Sequence, residues 1–170
     1  MKTRRNNIIL ILNILIIVIF LLPVFKLDLY FENYSTLSLN TEGYLFDLIV
    51  GILIGLLLGH ETYHIKNKYC AITIFISMLL GVLIPHHIPY NLQGNLHLLF
   101  AYIGFCGIVS ITLINCSLNI KLRNYYILTI FLAICFYLKC GMVNTISEVI
   151  VMLSTLITNL YLYRHLKQHD

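Results

Sequence analysis

The sequence predicts an all-α polytopic membrane protein, a bundle of six transmembrane helices with the N-terminus and C-terminus cytoplasmic. Three observations carry that expectation. The chain is 59% apolar and only 11% charged, with a mean hydropathy of +0.88, too greasy for a soluble domain of this length. Its apolar residues gather into blocks near the roughly 20 residues that cross a bilayer. Its Lys and Arg residues collect on one side of those blocks.

In chain order the blocks are 7–25, 44–60, 69–85, 96–118, 125–140 and 142–163, the fifth being the weakest. The first follows Met-Lys-Thr-Arg-Arg, as a signal peptide would. Its apolar run is too long and no small-x-small cleavage site follows, so it reads as an uncleaved anchor. With the N-terminus inside, Lys2, Arg4, Arg5, Lys66, Lys68, Lys121, Arg123, Arg164 and Lys167 are cytoplasmic, and only Lys26 and Lys139 lie outside. That asymmetry is the positive-inside pattern. It also accounts for the net charge of +4, so nucleic-acid binding is not expected.

No repeat, low-complexity tract or linker divides the chain, and residues 1–170 read as a single transmembrane domain. Trp is absent, so interfacial anchoring falls to Tyr44, Tyr69, Tyr125, Tyr126, Tyr161 and Tyr163 at the helix ends. Abundant Ile and Asn without Trp point to an A/T-rich genome, and so to a bacterial plasma membrane. Cys70, Cys106, Cys116, Cys135 and Cys140 form no C-x-x-C pair and read as small packing residues. The longest stretch outside the blocks, residues 26–43, alternates apolar and polar in "LDLYFENY" and is expected to be a short surface strand or an interfacial segment.

Three helices carry inward-facing signals. Helix two has Gly51, Gly55 and Gly59 at four-residue spacing, a small-xxx-small stripe that lets another backbone approach, and Asp47 continues the stripe. Helix six groups Asn144, Ser147, Glu148, Ser154, Thr155, Thr158 and Asn159 within an arc of about 140°. Helix four aligns His97, Ala101, Gly104 and Asn115. The simplest arrangement brings the three stripes together around an outward-facing polar pocket, with Asn144, Ser147, Asn115 and Thr155 in its wall.

Topology separates the histidines into two groups. "GHETYH", Gly59 to His64, contains the H-E-x-x-H pattern in which two histidines one turn apart hold zinc and the glutamate acts as general base. A protease of that type needs a third ligand, and the downstream Glu148 is predicted at the opposite side. Membrane-embedded site-2 proteases add an Asp-Gly motif, and no Asp here precedes Gly. Beside Lys66 and Lys68, His60, Glu61 and His64 equally suit the headgroups of anionic lipids.

The outer group gathers Asp47, His86, His87, His97 and Glu148, residue types that ligate a divalent metal such as zinc and that pass protons. Intramembrane carboxylates are costly and therefore functional candidates. Three functions follow. The first is a binding or transport subunit for an ion or small polar ligand. The second is a membrane metal-dependent hydrolase or transferase, with Glu148 or Asp47 as catalytic base and His97, His86 and His87 as metal ligands. The third is a non-catalytic protein that binds other membrane subunits through the glycine stripe. Membrane lipids are partners in all three.

Overall fold

A computed structural model describes residues 2–33, 36, 39, 41–65, 68–84, 91–141 and 143–169, with side-chain surroundings for all of these except 2–7, 41, 61–65, 118 and 166–169. The described residues form six α-helices: α1 (Lys2–Leu21), α2 (Thr41–Ile65), α3 (Lys68–Leu83), α4 (Leu92–Asn115), α5 (Ile120–Cys140) and α6 (Thr145–His169). No strand occurs among the described residues. Five helices are long and apolar enough to cross a membrane; α3, at 16 residues, is the shorter one. The weak element is thus the third rather than the fifth. Pro85 explains the early stop, because a proline disfavours helical backbone in the residue before it.

Helix ends depart from the apolar blocks because polar caps set them. Asn91 accepts from the Gly94 amide at 2.8 Å and starts α4 four residues before the block at 96. Asn119 accepts from the Leu122 amide and starts α5 five residues before 125. Gly141, at φ 70°, closes α5 in the left-handed conformation that suits glycine, and its amide bonds the Tyr137 carbonyl. Pro23 turns the end of α1 into a 3-10 turn, Leu22–Phe25.

The stretch after α1 is a turn rather than a strand. Asp28 Oδ1 accepts from the Tyr30 and Phe31 amides, and the Glu32 amide bonds the Asp28 carbonyl. This turn docks on the start of α6, where the Thr145 amide and hydroxyl donate to the Glu32 carbonyl at 2.7 and 2.8 Å. The turn therefore satisfies helix-end donors that have no partner within α6.

Helix α6 is the centre of the bundle and touches α1, α2, α4 and α5. Half of its membrane-length window is buried, against 11% for α5, which leans chiefly on α6. The most hydroxyl- and amide-rich helix is thus the most enclosed, the inverse of a soluble fold and the arrangement a lipid solvent favours. An apolar core of Ile16, Phe20, Val50, Ile54, Leu58 and Leu156 joins α1, α2 and α6.

Helices α2, α3 and α4 form a sheet-like row. The glycine stripe of α2 faces α3: a Cβ on Gly51 would meet Val82 Cγ2 at 2.5 Å, and one on Gly55 would meet Phe75 Cδ2 at 3.3 Å. Closer backbone approach occurs between α3 and α4. There a Cβ on Gly81 would lie 3.1 Å from the Ala101 amide nitrogen, and one on Gly104 would lie 3.1 Å from that of Met78.

Candidate functional site: a cavity between the helices

A cavity of about 600 Å³ lies between α2, α4, α5 and α6, with residues of α1 and α3 also in its wall. Each helix presents one face to it. Phe46, Asp47, Val50, Gly51 and Ile54 come from α2; Ile130, Ala133, Ile134 and Tyr137 come from α5. Ser147, Glu148, Val151 and Met152 come from α6. Along α4 the wall runs from His97 to Val109, about 18 Å at 1.5 Å per residue.

The polar groups concentrate at one end. Asp47, His97 and Glu148 all lie within the first two turns of their helices, and all three line the cavity with Ser147 and Asn33. The His97 ring is buried and its Nδ1 lies 2.7 Å from the Ile84 carbonyl. A carbonyl only accepts, so Nδ1 is the donor in this contact. Most of the remaining wall is aliphatic or aromatic.

Part of the cavity wall is shared with the outer face of the bundle. Tyr102 and Phe105 of α4 and Ile134 and Tyr137 of α5 line it and are at the same time exposed on the outer face of the bundle, Tyr102 by 55% and Tyr137 by 44%. Contact between α4 and α5 is slight compared with that between α5 and α6.

Below the floor lies a second polar layer. On α4, α6 and α5 a floor residue is followed one turn deeper by a polar one: Ile108 by Thr112, Val151 by Thr155 and Ile130 by Tyr126. Tyr126 and Thr155 hydroxyls are 2.7 Å apart. Asn159 Nδ2 donates to Thr112 Oγ1 and to the Thr155 carbonyl, each at 2.9 Å.

The residues expected at the pocket therefore divide. Asp47, His97, Glu148 and Ser147 meet at the cavity. Asn144 does not line it: its side chain caps α6, accepting from the Ser147 amide at 2.9 Å and donating to the Phe136 carbonyl. Thr155 belongs to the layer beneath, and Asn115 is buried at the far end of α4. Their position along the helix separates them from the cavity, although they share its face.

Two tyrosines expected at the interface are interior instead. Tyr126 is fully buried because α5 begins early and carries it inward, and Tyr163 is buried with its ring 5.6 Å from that of His60. Tyr69, Tyr125 and Tyr161 are exposed. All five cysteines are free thiols; Cys116 alone is buried.

Among the described residues, no three His, Cys, Asp or Glu side chains converge closely enough to hold a metal ion. Asp47, His97 and Glu148 share a cavity but not a coordination sphere. His86 and His87 lie outside the described residues, as do the side chains of Glu61 and His64. The H-E-x-x-H segment is helical, being part of α2, and His60 is exposed.

Two features escaped the sequence reading. Thr112 sits on the His97–Gly104–Asn115 face and could have been found by extending that stripe. The wall contributed by α5 carries only apolar residues and Tyr137, so no polar signal marks it. No protein-family model, curated protein or solved structure matches this chain.

Proposed function

We propose that the chain is an integral membrane protein, with both termini cytoplasmic, that binds or transports an amphipathic small molecule held in the cavity between α2, α4, α5 and α6. The observation that carries the proposal is the division of the cavity wall, carboxylates and imidazole at one end and aliphatic and aromatic side chains along the rest. A bare ion or small polar solute gains nothing from that apolar length, whereas a molecule with a polar head and a hydrocarbon tail is matched along it.

The slight contact between α4 and α5 supports entry from the lipid. A tail need not cross water to reach the cavity. The asymmetry of Lys and Arg supports an orientation with the carboxylate end at the outer face of a bacterial plasma membrane, with α3 crossing in the company of α2 and α4. The alternative of a metal-dependent hydrolase or transferase calls on His86 and His87, which lie outside the described residues.

The test is thermal unfolding of the protein in a maltoside detergent, with twelve-carbon amphiphiles of neutral, anionic and cationic head group added below their micellar concentrations. At least one raises the midpoint in wild type, its four-carbon counterpart does not, and Ala133→Trp, which fills the cavity, abolishes the shift. Absence of any shift, or an equal shift in Ala133→Trp, overturns the proposal.

A further inference from the structure

We infer that residues 26–33 form a strap that closes the polar end of the cavity against water, latched by the Glu32 carbonyl to Thr145 at the start of α6. This deepens the reading of the cavity as a binding site, because the strap governs access to it from the aqueous side.

The placement comes from three attachments. Asn33 itself lines the cavity. The Thr145 amide and hydroxyl donate to the Glu32 carbonyl at 2.7 and 2.8 Å, and the Ile146 amide reaches the Leu29 carbonyl at a longer 3.4 Å. These bonds seat the strap on the turn of α6 from which Ser147 and Glu148 enter the cavity wall. Its middle is held at the end of α5, where Lys139 Nζ lies over the Tyr30 ring at 5.7 Å, two residues beyond the cavity-lining Tyr137.

The strap is built as a unit with two faces. Asp28 Oδ1 accepts from the Tyr30 and Phe31 amides, and Glu32 Oε2 accepts from the Asp28 amide at 2.6 Å, so its hydrogen bonds close on themselves. Leu27 and Leu29 are half-buried, Leu27 against the apolar core, while Lys26, Asp28 and Tyr30 are exposed. The strap therefore keeps its shape whether or not it is docked.

The latch, in contrast, rests on one carbonyl. Thr145 is the first residue of α6, so its amide has no partner within the helix and takes one from the strap or from water. Exchange between those two partners changes the free energy little, which is what a reversible closure requires. Thr145→Pro removes both donors to Glu32 and leaves α6 intact, since proline is favoured at the first helical position.

The experiment measures access without any ligand. In nanodiscs, the full chain with its five cysteines replaced and Ala133→Cys added is treated with 2-(trimethylammonium)ethyl methanethiosulfonate, a small membrane-impermeant reagent. Ala133 lines the cavity, so its modification rate follows the fraction of time the cavity is open to water. Thr145→Pro raises that rate at least about ten-fold, the scale of one or two hydrogen bonds, and Thr145→Val, which keeps the amide, raises it less. A companion chain that retains only the buried Cys116 reports global opening, and its rate stays unchanged.

Equal rates at residue 133 with and without the latch, in variants that leave Cys116 protected, overturn the strap as a closure. If Thr145→Pro also exposes Cys116, Thr145→Val decides: faster modification at residue 133 alone supports the latch, and an unchanged rate overturns it. Because the reagent reads access rather than binding, a failed strap leaves the amphiphile reading standing, and a failed amphiphile test leaves the strap standing.

Discussion

Tyr126 of α5 and Thr155 of α6 meet through hydroxyl oxygens 2.7 Å apart, with both side chains fully buried. The pair ties the most exposed helix to the most enclosed one, directly beneath the cavity floor. Tyr126→Phe removes one partner and leaves the other buried, so it costs about 1 kcal/mol. Thermal or denaturant unfolding of Tyr126→Phe, Thr155→Val and the double variant checks this, the double variant costing less than the sum of the two.

The α3–α4 contact depends on the absence of two side chains. A Cβ on Gly104 would lie 2.8 Å from Met78 Cγ and 3.1 Å from the Met78 amide nitrogen, so Gly104→Val overpacks a backbone contact and destabilises by about 1–3 kcal/mol. Gly59→Ala, whose Cβ would find Phe75 Cβ at an ordinary 3.6 Å, is near neutral. Melting midpoints of the two variants compared side by side decide it. The α2 stripe, conspicuous in sequence, is therefore less critical at Gly59 than the α4 stripe is at Gly104.

Asn144 starts α6 by accepting from the Ser147 amide, while the Asn144 amide donates back to Ser147 Oγ at 3.2 Å. Loss of this reciprocal cap in Asn144→Ala costs about 1 kcal/mol, with substitution by Asp milder. The same variant leaves amphiphile affinity unchanged, because Asn144 does not line the cavity. Unfolding and binding measured on one preparation separate the two effects.

How much was visible beforehand follows from what each signal measures. Apolar blocks located all six helices because each helix is built from one continuous apolar run, yet they missed the helix starts at Asn91 and Asn119, where polar caps rather than hydropathy decide. Small and polar stripes on α2, α4 and α6 brought Asp47, His97, Glu148 and Ser147 to one place. The same stripes could not resolve depth along the axis, which is why Thr155 and Asn115 were grouped with residues one or more turns away. The wall from α5 was invisible because apolar residues facing a cavity look like apolar residues facing lipid.

Orientation is testable apart from ligand binding. In a background with the five native cysteines replaced, a cysteine at Lys139 is labelled from outside intact cells by a membrane-impermeant maleimide, and one at Arg164 is labelled only after permeabilisation. The reverse pattern would turn the carboxylate end of the cavity to the cytoplasm.

The cavity as the place where ligand sits is tested most directly by mass. Wild type and Ala133→Trp are equilibrated in nanodiscs with an equimolar mixture of dodecylamine, dodecanoate and monolauroylglycerol, then released and weighed intact by native mass spectrometry. The account predicts one retained amphiphile per wild-type chain and none on a folded Ala133→Trp chain. Wild type retaining none, or the filled variant retaining the same molecule, would contradict it.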